Sequence, residues 1–587
     1  MTKQDNLTAK QLDYAVFLPA ISGFYATYIG KQREEDYVDP ARMPQGIKDM
    51  EMMNWLNSQT GLFPYKWSLY SGGHANLDLT KEVSGENMVR KREAGTTILG
   101  DSGGFQIAKG LWEGDWRAPT SQGVLDKMAD CVARKTEVRT ITDSKGKVKT
   151  VTVDLVKEYQ AKLDAAQTKR ESVLKWLDGV SDYAMTLDIP TWIVNNPEAS
   201  AKVGISLNPT QGHQDAINAT HYNNEYFIKH RKGISEGGTK ILNVLQGADH
   251  VAADEWYELM KGYCDPVKYP GKNFNGWAMG GQNMCDVHLI LKRLVALRYD
   301  NLLQEGVHDW MHFLGTSKLE WAVLLTAIQR SIRKYVNPSF TISFDCASPF
   351  LATANGQVYC ENVFPNDSKW SYKMAPSADN KKYATDTRTW ADGVTQDGFH
   401  DNWQDSPISK QLLMKDICIY KPGVAKPGVT LTPDNFQDPQ MYTVLPDCNK
   451  NGKWGKTSWD SFSYALLMGH NVYMHLTAVQ EANRQYDSGN FPSMMRRRGD
   501  YTKFEDIVEA IFAAPDRATS ELIIEEFSSY WMEIIGGRGR LGQKVLHSEP
   551  MFRLLFTFDD AATPDEADEV DEVDFDTTAL DNLENSQ

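Results

Sequence analysis

The stretch Thr96-Thr-Ile-Leu-Gly-Asp101-Ser-Gly-Gly-Phe-Gln106 decides the fold. Its first half is a short apolar run that reads as a buried strand. Its second half closes that strand on an aspartate and turns on two glycines, which let a backbone come close to a ligand. The design recurs along the chain. Tyr183-Ala-Met-Thr-Leu-Asp188, Ile241-Leu-Asn-Val-Leu-Gln246, Gly276-Trp-Ala-Met-Gly280, Met311-His-Phe-Leu-Gly315 and Phe340-Thr-Ile-Ser-Phe-Asp345 are each short, apolar and closed by a polar residue or glycine. Between them, Cys285–Gln304 and Lys318–Tyr335 carry apolar residues at spacings of three and four, the mark of an amphipathic helix. Strands alternating with helices imply a parallel sheet. The fold class expected is therefore α/β, a TIM-type (β/α)8 barrel, whose chemistry gathers at the C-terminal mouth of the strands. Asp101, Asp188, Gln246, Gly280 and Asp345 all fall there. One polar strand end marks only the start of a loop; five in one chain point to a site.

Working outward, the barrel is expected over residues 11–350, interrupted by an insertion at about 111–182. The insertion is expected to hold a hairpin, Thr136–Asp154, carrying Arg139, Lys145, Lys147 and Lys149 near Arg134 and Lys135, and then a charged helix to about Leu177. An irregular region rich in Asp, Asn, Pro and Gly follows over 351–455. A helical region is expected over 456–558, with helices at Asp506–Ala514 and Ser520–Ile535, then an acidic disordered tail over 559–587.

Composition narrows the function classes. No apolar run reaches the roughly 20 residues a membrane span requires, and Met1–Lys10 has no apolar signal-peptide core, so a cytoplasmic location is expected. Seven widely spaced cysteines, an odd number, argue for reduced thiols. The formal charge of −16 is uneven: Asp559–Gln587 holds twelve acidic and no basic residues, which leaves −4 for the first 558. A near-neutral body can present a local basic surface to phosphates.

Asp101-Ser-Gly-Gly-Phe-Gln106 resembles the signature of tRNA-guanine transglycosylases. Further motifs follow in that family's order: Ala184-Met-Thr-Leu-Asp188, Val244-Leu-Gln-Gly247, Gly276-Trp-Ala-Met-Gly-Gly281, Phe313-Leu-Gly-Thr316 and Ser343-Phe-Asp-Cys346. The resemblance covers roughly residues 96–350. It implies that Asp345 is a nucleophile trapping the sugar after the glycosidic bond breaks, and that Asp101 moves protons to the departing base and from the incoming one. It implies that Asp188, Gln246 and the Gly280 and Gly281 backbone read a guanine-like ring, and that Ser102 positions the site. Phe105, Trp277 and Met279 are stacking or core residues. The family's zinc site has three clustered cysteines and a later His-Asn. Gly469-His-Asn-Val-Tyr473 is similar to the His-Asn helix, but the cysteine cluster is missing. Cys418, Cys448 and His470 are candidate zinc ligands, short of the four a structural site needs.

The segment after Asp345, Ala347-Ser-Pro-Phe-Leu-Ala-Thr-Ala-Asn-Gly356, lacks the arginines with which the family contacts an anticodon loop. With the altered zinc region and the long insertion, this makes the chain most similar to the DpdA branch, often phage-encoded. That branch exchanges guanine in DNA for preQ0 (7-cyano-7-deazaguanine) or a related 7-deazaguanine. The expectation is a DNA-guanine transglycosylase that takes a flipped-out base. The alternatives are a divergent tRNA-guanine transglycosylase and a non-catalytic nucleic-acid-binding member. Candidate phosphate contacts are the hairpin, Arg496, Arg497 and Arg498, and the glycine-rich stretch with Arg538, Arg540 and Lys544.

Overall fold

The computed structural model describes residues 7, 13–31, 43–142, 148–418, 424–430, 432, 441–443 and 458–536. Ten strands carry the argument: β1 (Val16–Pro19), β2 (Trp67–Ser71), β3 (Thr97–Asp101), β4 (Thr136–Thr142), β5 (Val148–Asp154), β6 (Tyr183–Met185), β7 (Lys240–Leu245), β8 (Gly276–Met279), β9 (Trp310–Phe313) and β10 (Thr341–Cys346). Eight form one sheet in the order β1-β10-β9-β8-β7-β6-β3-β2, every neighbouring pair parallel. A bridge between Ala20 and Leu69, with Ile21 N donating to the Leu69 carbonyl at 3.0 Å, brings the two edge strands together. The result is a nearly closed eight-stranded parallel barrel, consistent with the TIM type. Strands covered on both faces need continuous apolar sequence, and Ile241–Leu245 is buried at every position.

The six strands read from sequence are present. β1 and β2 were not legible: Val16-Phe-Leu-Pro19 is four residues long, and Trp67-Ser-Leu-Tyr-Ser71 is interrupted by serines although all five residues are buried. β6 is shorter than expected, because the chain turns away after Thr186 N makes a last bond to the Leu242 carbonyl on β7 at 2.9 Å: Asp188 N bonds back to the Thr186 carbonyl at 3.0 Å. The barrel helices expected at 285–304 and 318–335 run over Val287–Tyr299 and Leu319–Tyr335.

The insertion between β3 and β6 holds the helix Gln122–Arg134, the antiparallel hairpin β4–β5, and the helix Leu155–Val180. Arg170 fastens that last helix to the barrel. Its buried guanidinium donates to Asn223 Oδ1 at 2.6 Å and lies over the rings of Trp116 and Tyr222. After β10 the region expected to be irregular contains an antiparallel pair, β11 (Gln357–Val363) and β12 (Ser371–Pro376).

The helix Ser461–Asp487 lies against the barrel wall: Gln480 donates to the Leu7 carbonyl at 2.8 Å, and Asp487 pairs with Arg330 at 2.7 Å. Phe504–Ala513 packs on the barrel helix Leu319–Tyr335, where Ser331 Oγ donates to the Val508 carbonyl at 3.3 Å. The single helix expected over 520–535 is two, Arg517–Glu526 and Ser528–Gly536, parted at Phe527 just before a serine pair that favours a helix start. Among the described residues no helix is long and apolar enough to cross a membrane. The acidic stretch 559–587 lies outside the described residues.

Candidate active site

All eight barrel strands run the same way, so their C-terminal ends share one mouth. There the fold brings together Asp101 at the end of β3, Asp188 beyond β6, Gln246 after β7, Gly280 and Gly281 after β8, and Asp345 on β10. Asp188, Gln246 and Asp345 are buried, and Asp101 is half-buried.

Each of the three carboxyls accepts hydrogen bonds from a neighbouring strand or its loop. The hydroxyl of Ser71, at the end of β2, donates to Asp101 Oδ2 at 2.5 Å, and Gly103 N reaches Oδ1 at 3.3 Å. Gly103 takes φ +89° and packs against Trp112 so closely that a Cβ would sit 2.4 Å from the indole, so only glycine fits this turn. Asp345 Oδ1 accepts from Gly315 N at 2.9 Å and contacts His312 Nε2 at 3.0 Å. Asp188 Oδ2 accepts from Gln246 Nε2 at 2.8 Å. Gln246 Oε1 is buried without a hydrogen-bond partner among the described residues, an acceptor open to a ligand's N–H.

Burial, rather than any single neighbour, sets the electrostatics. It pushes the Asp101 carboxyl above the usual range; the hydrogen bonds from Ser71 and Gly103 oppose this, and the charge of Asp345 adds to it. Burial likewise raises Asp188 to about 7, against the Gln246 hydrogen bond and with the Asp101 charge adding. Near neutrality Asp188 is therefore poised to exchange a proton.

Other expected site residues are placed differently. The Ser102 hydroxyl is buried and donates to the Thr186 carbonyl at 2.9 Å, so it fixes the segment leading to Asp188 rather than facing the mouth. Gly280 N is taken by the Leu245 carbonyl at 2.8 Å, which removes that donor from base reading. The lack of a side chain at Gly280 does matter, since a Cβ would lie 2.6 Å from Gln246 Nε2. Trp277 and Met279 are wholly buried core residues. Phe105 is half-buried beside Trp192, with Lys109 over its ring, and Lys169 lies over Trp112 nearby.

Of the zinc candidates, the two that are described, Cys418 and His470, are engaged in hydrogen bonds. The Cys418 thiol donates to the Ala378 carbonyl at 2.8 Å. His470 has both ring nitrogens engaged. Nε2 faces the Tyr359 carbonyl at 2.8 Å, and Nδ1 faces Ser406 Oγ at 2.9 Å. That hydroxyl already accepts from Ile408 N and Ser409 N, so its proton is free for Nδ1. Burial lowers His470 to about 4 and keeps it neutral. Cys448 lies outside the described residues, and among those described no group of three or more His, Cys, Asp or Glu could hold a metal ion.

The basic candidates are partly occupied. Arg139 of the hairpin is spent on Glu137 and Glu158, and Arg134, at the end of the preceding helix, on Asp130 and Glu137. Lys145 and Lys147 lie outside the described residues, as do Arg538, Arg540 and Lys544. Arg496 covers the Phe491 ring at 3.8 Å, Arg497 pairs with Asp500 at 3.2 Å, and Arg498 is exposed.

Sequence reasoning did not single out Ser71, His312 or Thr186. Each sits inside or just past a strand, where a polar residue has no distinguishing spacing. No protein-family model matches the chain, and no curated protein matches it significantly.

Proposed function

We propose that this mouth exchanges a guanine-type base in a nucleic acid, DNA by preference, for preQ0 or a related 7-deazaguanine. The observation that carries the reading is the convergence of Asp101, Asp188 and Asp345 from three separate strands on one mouth. Two of them have raised affinity for protons, and the third is held through one oxygen.

The chemistry divides among them. Asp345 attacks C1′ of the sugar, forming a C1′–O bond as the C1′–N9 bond breaks. Asp101, carrying its proton, gives it to the departing purine. The incoming base then loses a proton to Asp101, and its nitrogen displaces the Asp345 carboxylate, restoring both residues. Asp188 accepts from the N1–H and 2-amino groups of the ring, and Gln246 lends its open carbonyl oxygen. No redox partner is required. The lysines over Phe105 and Trp112 supply cations beside aromatic faces, a pairing suited to a strand carrying an unstacked base.

The test is nucleoside mass spectrometry of total DNA and total tRNA from cells making the protein with a preQ0 supply, beside an Asp345→Ala control. Deazaguanine in DNA that disappears in the variant is the expected result. Its appearance only in tRNA would sink the DNA assignment; absence from both would sink base exchange with this donor.

A further inference from the structure

Asp345 stands at the top of a hydrogen-bond chain that climbs the inside of the barrel. The rings of Tyr183 on β6 and Trp310 on β9 approach to 4.5 Å although β7 and β8 separate their strands, so both side chains point into the interior. Side chains two apart on a strand share a face, which puts His312 above Trp310. Ser343 pairs in register with His312 on the neighbouring strand, with Asp345 above Ser343. The contacts follow this stacking. Trp310 Nε1 donates to Ser343 Oγ at 2.7 Å, Ser343 Oγ meets His312 Nδ1 at 2.8 Å, and His312 Nε2 meets Asp345 Oδ1 at 3.0 Å. His312 and Ser343 are wholly buried.

The proton positions follow from what each atom can do. An indole N–H only donates, so Trp310 occupies a lone pair of Ser343. The Ser343 hydroxyl proton is sealed from water and needs an acceptor, and His312 Nδ1 is the one it contacts. The hydrogen of the imidazole then sits on Nε2 and is donated to Asp345. Together with Gly315 N, this places two donors on Oδ1, while Oδ2 has no hydrogen-bond partner among the described residues. A Ser-His-Asp set invites comparison with a hydrolytic triad, but Ser343 lies a layer beneath Asp345, wholly buried, and cannot reach a substrate.

We propose that His312, locked as its Nε2–H tautomer by Ser343, is a positioning residue that reserves Oδ1 of Asp345 and leaves Oδ2 as the single oxygen presented to a sugar carbon. This rests on the base-exchange reading for its role, though not for its geometry. Donors on Oδ1 hold the carboxylate in one rotamer for attack. They also stabilise the charge that returns to it when the incoming base displaces it.

The experiment joins a spectrum to kinetics. In protein labelled with 15N-histidine, long-range 1H–15N correlations at pH 7 should show the His312 ring with its hydrogen on Nε2. Ser343→Ala should lose that single-tautomer pattern. In base-exchange assays His312→Phe should lower kcat by about 10²–10³ with little change in KM, the cost of losing one aimed donor. His312→Gln, which can still donate to Oδ1, should recover most of it. A wild-type hydrogen on Nδ1, or His312→Gln failing as badly as His312→Phe while both stay folded, would overturn the proposal. If wild type shows the expected tautomer but exchanges no base, the base-exchange reading fails and the hydrogen-bond chain stands.

Discussion

At the scale of single residues, Asp188 carries the sharpest consequence. Burial raises its carboxyl to about 7. A guanine-type ring presents N–H donors, so capture needs the ionised form, and kcat/KM should fall about tenfold per pH unit below 7. Asp188→Asn should lower activity and abolish that limb; a variant that keeps the same acid limb would assign it to another group. The same shift has a stability sign. An unfolded aspartate titrates near 3.9, whereas the folded protein holds this proton up to about 7. The folded state's advantage is thus fully present below about 3.9 and is lost as pH rises through about 7. Asp188→Asn, whose amide oxygen can still accept from Gln246, should be more stable than wild type at pH 8 by on the order of 2–4 kcal/mol. At pH 4 the difference should nearly vanish. Thermal melts at both pH values check this, and a pH-independent difference would refute the buried-acid account. The placement of Asp101, Asp188, Gln246 and Asp345 at strand ends was legible in the sequence, because each closes a short, largely apolar run. His312 was not, because a histidine inside Met311–Gly315 looks like any strand residue until its cross-strand neighbour is known.

At the scale of elements, the turn after β3 depends on its glycines for different reasons. Gly103 needs its positive φ, but Gly104 begins the helix Gly104–Ala108. A Cβ at Gly104 would lie 2.7 Å from the Asp188 carbonyl oxygen and 2.8 Å from its Oδ1. One of those atoms is backbone and cannot swing away. Gly104→Ala should therefore displace Asp188, lowering base-exchange kcat/KM by 10²-fold or more, for about 1–3 kcal/mol of stability. Wild-type kcat/KM in a folded variant would contradict that packing. A second element prediction concerns Ser461–Asp487. If His470 is structural, as its two hydrogen bonds indicate, His470→Gln should cost about 1–3 kcal/mol, while chelators should leave the wild-type Tm unchanged. A chelator-induced drop matching the variant's would restore a metal there. Sequence pattern located the short, largely apolar strands that end on a polar residue or glycine, and the long barrel helices. It passed over β1 and β2, where the run is only four or five residues long and the pairing partner, β10 or β3, supplies the missing information. It also merged the two last helices, whose break at Phe527 interrupts no apolar spacing.

At the scale of the whole molecule, the parallel barrel turns eight separate strand ends into one mouth, and that placement cannot be read from any motif alone. The order of the motifs was visible in the sequence; their convergence on one mouth follows from the sheet order. Charge is also a property of the whole chain. Of the formal −16, twelve negative charges lie in Asp559–Gln587, leaving a body near neutrality. A polyanion approaching the mouth meets the local field of the body and the repulsion of this segment, and salt screens that repulsion over about 10 Å at 0.1 M. Truncation after Phe558 should therefore tighten binding of a fluorescent DNA oligonucleotide several-fold at about 50 mM salt, mainly through faster association. The gain should shrink towards nothing at several hundred millimolar, because only the screened, long-range part has been removed. If truncation instead weakens binding at every salt concentration, the segment contributes contacts of its own. If affinity is unchanged even at low salt, the acidic stretch lies too far from the binding surface for its field to be felt, and the phosphates respond to the body alone.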